Sequence, residues 1–421
     1  MLEEEKTLKE TPEEPEFVET QDVEEVVQDD DQQQNELQPN EDIAGNDVKM
    51  GENGNIELDM SNNSIAYFDQ HTDSIFTISS HPTLPLAVSG GGDNVAYLWT
   101  THTSPTRLAG KLEGYTESVI ASEFTPDGKF LVTGDMTGKI LIHKATKKGQ
   151  VWVPYGELQQ VDEISWIAMH SKEDIFAFGA TDGSVWVYQI GANRDINLIF
   201  TGYSHSLDCT AGEFFDVDNS LGELKLVTAC EDGTIIGWNC YTQSQLFHIH
   251  TAELKGITPP WVTLSVYPNT GKIAAVGSRD SHVAIVNLET GTVVKVITAL
   301  TPKDTDDVFE ASIEGISWCK SLPLLALGLV SGDVFIIDTR TWQVRKKIKC
   351  EDAITNLAFF KDTPFLLGSS MDGKVYKWDA RTGTVIQSYT GHHMGVLDFA
   401  VDCADRLVTA GDEGVSLVFQ I

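Results

Sequence analysis

From about Asn55 to Ile421 the chain is a succession of short apolar runs broken by small and polar residues. Each run of strand-type residues ends in small residues, meets Asp-Gly or a relative, and resumes as a second run that closes on an aromatic or bulky residue. The pattern appears as GGGDNVAYLW (Gly90–Trp99), GDMTGKILIH (Gly134–His143), GATDGSVWVY (Gly179–Tyr188) and ACEDGTIIGW (Ala229–Trp238). It continues as GSRDSHVAIV (Gly277–Val286), LVSGDVFIID (Leu329–Asp338), SSMDGKVYKW (Ser369–Trp378) and AGDEGVSLVF (Ala410–Phe419). Runs of this length on either side of Asp-Gly predict β-hairpins, because the turn requires a residue with φ > 0. The residue after the acidic turn position falls at Asn94, Gly138, Gly183, Gly233, Ser281, Gly332, Gly373 and Gly414, at intervals of 44, 45, 50, 48, 51, 41 and 41 residues.

A period of 40 to 50 residues built from hairpins predicts radial repetition of four-stranded units. The recurring turn, with Trp378-Asp379 and Trp238-Asn239 at the ends of two units, resembles the WD-repeat family. The expected fold is an all-β propeller of eight blades; a seven-bladed ring, with the unit around Asp280 as an insertion, is the alternative. Repeats of that family hold a hydrogen-bonded tetrad of His, Ser or Thr, Asp and Trp. Two units carry a full set: His71, Ser89, Asp93 and Trp99, and His205, Thr228, Asp232 and Trp238. These His/Ser/Asp sets read as structural and not as hydrolase triads. The chain stops one strand short of a complete last unit, and Ser64–Phe68 resembles the missing outer strand. It is expected to close the ring and remove a free edge.

Charge separates the chain into two regions. Residues 1–54 hold 19 acidic and 3 basic residues, and their only aromatic residue is Phe17. Such a segment buries too little apolar surface to offset its ordering entropy, so a disordered acidic tail is expected there. The formal net charge of −34 leaves −18 on residues 55–421, so the folded part is acidic in its own right. That argues against free nucleic acid or an anionic membrane surface as primary partner, and for a basic one. The six cysteines form no C-x-x-C pair, and the N-terminus has no apolar h-region, which predicts reduced thiols and a cytoplasmic protein.

No P-loop, dinucleotide fingerprint, H-E-x-x-H or nucleophile elbow is present, so neither enzyme, cofactor nor metal is expected. The acidic residues instead recur at equivalent places. In such a propeller the loop leading into each blade and the hairpin turn within it lie on one face. Asp73, Glu117, Glu163, Asp208, Glu253, Glu314 and Asp352 belong to leading loops, and Glu231, Asp412 and Glu413 to turns. Asp162, Glu351 and the stretch Lys303–Glu310 add to them, whereas Asp182, Asp280 and Asp372 read as turn formers. The ten form a candidate face for a basic ligand. Trp166 and Trp261 are either anchors on that face or core.

At a finer level the chain resembles one WD-repeat group, the dedicated chaperones of large-subunit ribosomal protein L ten (universal name L sixteen). The angio-associated migratory cell protein is their animal relative. The resemblance rests on DMSNNSIAYFDQHTDSIF (Asp59–Phe76), FAFGATDGSVW (Phe176–Trp186), SIEGISW (Ser312–Trp318), HMGVLDF (His393–Phe399) and TAGDEGVSLVF (Thr409–Phe419). It implies an eight-bladed propeller whose negative face binds the basic N-terminal segment of the ribosomal protein. It also implies delivery of that client to the cytoplasmic 60S precursor, by a monomer that touches ribosomes only transiently. The competing reading is a general WD-repeat scaffold, such as a ubiquitin-ligase adaptor or a histone-tail reader.

Overall fold

The structure, a computed structural model, describes residues 61–254, 257, 259–300 and 309–421, together with the backbone of Lys49–Met50 and Ile56–Glu57, which pair as a two-stranded ribbon. Contacts divide the chain at Ala44/Gly45, and only the second unit is described. Apart from the backbone of Lys49–Met50, the tail expected over residues 1–54 lies outside the described residues.

Eight four-stranded antiparallel sheets follow one another. Blade 1 runs through Ile75–Ser80, Leu86–Gly91, Ala96–Thr100 and Leu108–Leu112 from inside to outside. The innermost strands of the next six blades are Val119–Phe124, Ile164–Met169, Ala211–Phe215, Trp261–Val266, Ile313–Trp318 and Ile354–Phe359. Blade 8 takes Val396–Val401, Arg406–Gly411 and Ser416–Gln420 from the C-terminal end of the chain. Its outer strand is Ala66–Phe68, paired Ala66↔Val418, Tyr67↔Leu417 and Phe68↔Ser416. The ring thus closes by the N-terminal strand. The unit around Asp280 is a regular blade, with Ile273–Ser278 and His282–Asn287 at its centre, which rules out the seven-bladed alternative.

Burial explains the strand compositions. The second strand of each blade is covered on both sides by its neighbours, and in Leu86–Gly91, Phe130–Asp135, Ile175–Ala180 and Leu324–Leu329 every residue is buried. Such strands read as continuous small and apolar runs. Outer strands such as Gln343–Lys349 are almost wholly exposed and tolerate charge. Small residues let blades approach: a Cβ on Gly90 would lie 2.6 Å from Val119 Cγ1 of blade 2. The eight turn positions read from the sequence all have positive φ, from 59° at Asn94 and 69° at Ser281 to 77–85° at the six glycines. In blade 3 the Gly183 N–H bonds to Ala180 O and the Ala180 N–H to Ser184 O, a three-residue hairpin loop whose third residue is left-handed.

Candidate functional site

One bond, repeated around the ring, defines a face. An N–H just after each second strand, one residue on, or two in blade 4, donates to the carbonyl of a residue at the end of the loop leading into the same blade. The pairs are Gly92 to Ser74 (2.9 Å), Met136 to Ser118 (3.0 Å), Thr181 to Glu163 (3.3 Å) and Glu231 to Asp208 (3.0 Å). Arg279 to Pro260, Val330 to Ser312, Met371 to Ala353 and Asp412 to Gly395 complete the eight, at 2.9–3.0 Å. Leading loops and hairpin turns are therefore on one side, where the sequence places its acidic residues.

Inside this ring lies a second feature that the sequence does not announce. In seven blades the innermost strand bulges at its second residue: Phe76, Ile120, Ser165, Val262, Glu314, Thr355 and Leu397. A bulge re-aims a side chain. Phe76 is 41% exposed between the buried Ile75 and Thr77. These residues ring the mouth of the central channel.

The tetrads form the support beneath the face. In blade 1 the His71 Nδ1–H donates to Asp93 (3.0 Å), and Ser89 Oγ bridges His71 Nε2 (2.9 Å) and Trp99 Nε1 (3.1 Å). Burial lowers the His71 pKa against the pull of Asp93, so the ring is a neutral one with its proton on Nδ1. Blade 4 departs from the expected set. Thr228 Oγ1 bridges His205 Nε2 (2.8 Å) and Trp238 Nε1 (2.9 Å), but His205 Nδ1 meets Thr234 Oγ1 (2.8 Å), and Thr234 passes the bond to Asp232 (2.6 Å). Asp232 is also bonded by Ser206; burial works the other way, yet these bonds hold its carboxyl far below the usual range.

Blade 8 has a set that the sequence reading missed. His392 meets Glu413 through Nδ1 and Thr409 Oγ1 through Nε2, both at 2.6 Å, while Phe419 stands in the Trp place. The signal was Gly391-His392 four residues before an inner strand, hidden by a carboxylate one methylene longer than Asp. Tyr115 takes the His place in blade 2, bonded to Thr133 Oγ1 at 2.7 Å.

The ten acidic candidates separate by environment. Asp73, Glu117, Glu163, Glu253 and Glu314 are exposed. Glu117 and Glu163 have no side-chain hydrogen bond among the described residues; Asp73 takes the Ser74 N–H, Glu253 the His250 N–H and Glu314 the Ser312 hydroxyl. Asp352 accepts the Ala353 N–H (2.7 Å), and Asp412 ties blade 8 to blade 1 through Ser74 Oγ (2.7 Å). Asp208 is half-buried under Ser165 Oγ, and burial raises its pKa with help from Glu231 and Glu163. Glu231 forms an ion pair with Arg279 (2.7 Å). Glu413, assigned to the face by sequence, is turned inward to His392 with a side chain only 17% exposed. Lys303–Val308 lie outside the described residues. Trp261 is fully buried, its N–H on Gly233 O, and Trp166 is half-buried against Cys209 O, so both belong to the interior.

Three further carboxylates, Glu123, Glu213 and Asp398, lie on innermost strands. Asp398 accepts the Ile78 N–H (3.3 Å) and Asn356 Nδ2–H (2.7 Å) from the blades on either side, and Glu213 accepts the Val266 N–H (2.8 Å). Asp398 and Glu213 thereby join the inner edges of adjacent blades. Burial pushes Glu123 and Glu213 up to about 7 and Asp398 to about 6, and the Asp398 charge adds to the shift at Glu123. Among the described residues, His205, Cys230 and Asp232 are the one group with metal-ligand chemistry, their donor atoms within 4.8 Å. Both imidazole nitrogens and the Cys230 thiol are already hydrogen-bonded, so a metal would have to dismantle the blade-4 network.

Comparison with known proteins follows the same lines. The WD domain, G-beta repeat, matches residues 62–100, 106–144 and 342–379. The ribosome assembly protein SQT1 of Saccharomyces cerevisiae is 45% identical over 383 residues, 87% of this chain and 88% of its own. The chain belongs to the Sqt1 family. The crystal structure of yeast Sqt1 superposes with a TM-score of 0.83, covering 86% of this chain and all of the other. Chaetomium thermophilum Sqt1, solved bound to the N-terminus of the ribosomal protein L10, superposes at 0.77 with 27% identity over 86% of this chain and all of that one. The human angio-associated migratory cell protein is 28% identical over 89% of this chain and 82% of its own. Sqt1-family membership agrees with the fold.

Proposed function

We propose that this protein binds the N-terminal segment of ribosomal protein L10 on the acidic face and escorts it into large-subunit assembly in the cytoplasm. The observation that carries the reading is the L10-bound relative, which shares the propeller over 86% of this chain. The ring of acidic loops supports it: Asp73, Glu117, Glu163, Glu314 and Asp352 stand on one face, and the Glu117 and Glu163 side chains hold no hydrogen bond among the described residues. Single exposed pairs contribute about 0.2–1 kcal/mol, so affinity would come from several converging contacts and from the summed field of the face. We read the protein as a binder and not a catalyst, since its His/Ser/Asp sets hold blades together. Ribosomal RNA phosphates compete for the same basic side chains, which gives a route for handover.

The test is a titration of the protein with the L10 N-terminal peptide across a salt series. Tight binding that weakens steeply with salt is expected, because exposed charge pairs are screened over about 8–10 Å at 0.1–0.15 M. Absence of binding at low salt would refute the proposal and leave the general scaffold reading.

A further inference from the structure

The face is not only acidic. At the channel mouth the bulged residues of three consecutive blades are apolar: Leu397 on blade 8, Phe76 on blade 1 and Ile120 on blade 2. The loops and turns of the same face carry Met394, leading into blade 8, Met371 on the blade-7 turn and Met136 on the blade-2 turn, 47%, 36% and 43% exposed. Met371 and Met394 are close neighbours, since a Cβ on Gly395, the residue after Met394, would meet Met371 Sδ at 2.6 Å. On the same face, the leading loops and turns of blades 7 to 2 carry Asp352, Asp412, Asp73 and Glu117 in that order.

An apolar centre with a charged rim is the arrangement of a protein-binding hot spot, where the middle supplies affinity and the rim supplies register. Methionine fits such a place because its unbranched side chain adapts to its partner.

We propose that the arc centred on Phe76, with Met394 and Met371, seats a large apolar side chain of the basic client segment. The client is then read as basic residues flanking an apolar anchor, and not by charge alone. This rests on the reading that the acidic face binds the L10 N-terminal segment, and continuity of the arc with the acids of blades 7 to 2 is what assigns its occupant.

The test uses the full chain and the L10 N-terminal peptide, titrated at low and high salt. Phe76→Ser is expected to weaken binding about ten-fold or more at both salts and leave the salt slope unchanged, as loss of apolar burial does. Phe76→Leu should keep most of the affinity, and Glu117→Gln should flatten the slope. Replacing the apolar residues of the peptide by Ser, one at a time, should find one position whose loss matches Phe76→Ser and does not add to it. Met394→Ser, in a loop, repeats the test should Phe76→Ser lower the melting temperature. Wild-type affinity for both Phe76→Ser and Met394→Ser overturns the inference while the charge-based reading stands. No binding of the peptide by the unaltered protein overturns both.

Discussion

Glu413 and Glu117 are both acidic and both near the face, yet the structure gives them opposite roles. Glu413 accepts the His392 Nδ1–H at 2.6 Å, and His392 is bonded on its other side to Thr409. Glu413→Ala removes the acceptor and leaves a covered imidazole N–H unpaired. An orphaned buried polar group costs about 1–3 kcal/mol, and more where the partner was charged. Glu117 is exposed and holds nothing among the described residues, so Glu117→Ala should change stability by no more than about 0.5 kcal/mol. Its binding loss should be about 0.2–1 kcal/mol, up to five-fold in affinity.

Urea unfolding followed by tryptophan fluorescence, paired with the L10 peptide titration, separates the two. Glu413→Ala should lower the unfolding midpoint with unchanged slope and keep its affinity under conditions where it is folded. Glu117→Ala should do the reverse. Should Glu413→Ala unfold at the wild-type urea concentration and bind the peptide poorly, the inward assignment is refuted and Glu413 belongs to the face, as its sequence position had suggested.

Ser89→Ala strips the fully buried partner from both His71 and Trp99, and a loss of about 2–5 kcal/mol is expected in the same urea assay. Arg279→Gln frees Glu231 from its ion pair, so L10 peptide binding should tighten; weaker binding in the titration would mean that Arg279 itself meets the client. Stability should also rise on mild acidification. Glu123 and Glu213 have folded-state pKa values near 7, above an ordinary carboxylate, so their protonation favours the fold. Their contribution is complete below about pH 4 and lost as pH rises through 7. Between pH 8 and 6.5 the gain is at most about 1 kcal/mol per group, because both keep some contact with channel solvent. Below about pH 6.5, protonation of His71 and His205, whose pKa values burial lowers, pulls the other way. Glu123→Gln should flatten the rise between pH 8 and 6.5 in thermal melts; an unchanged profile would show that Glu123 does not titrate there.

The parts of this molecule that could be read from sequence are those where backbone geometry restricts residue type. A left-handed turn position admits Gly, Asn or little else, so the period appeared in eight places even where the tetrad had decayed. Ring closure was legible because Ala66–Phe68 carries the alternation of an outer strand without a blade of its own. Side-chain reach is not restricted in that way. Asp232 sits in the expected turn, yet its bond to His205 passes through Thr234, a choice made by rotamers and not by spacing. Glu413 reaches His392 only because its chain is one methylene longer than the residue the pattern anticipates. The mouth of the channel was the least legible feature. Phe76, Ser165 and Glu314 occupy equivalent bulges although nothing in their chemistry is shared. A bulge frees its residue from blade packing, and a position released from packing can take any side chain. Function therefore has most freedom where the repeat leaves no signature, and the apolar half of a mixed acidic and apolar face lies where periodicity cannot point to it.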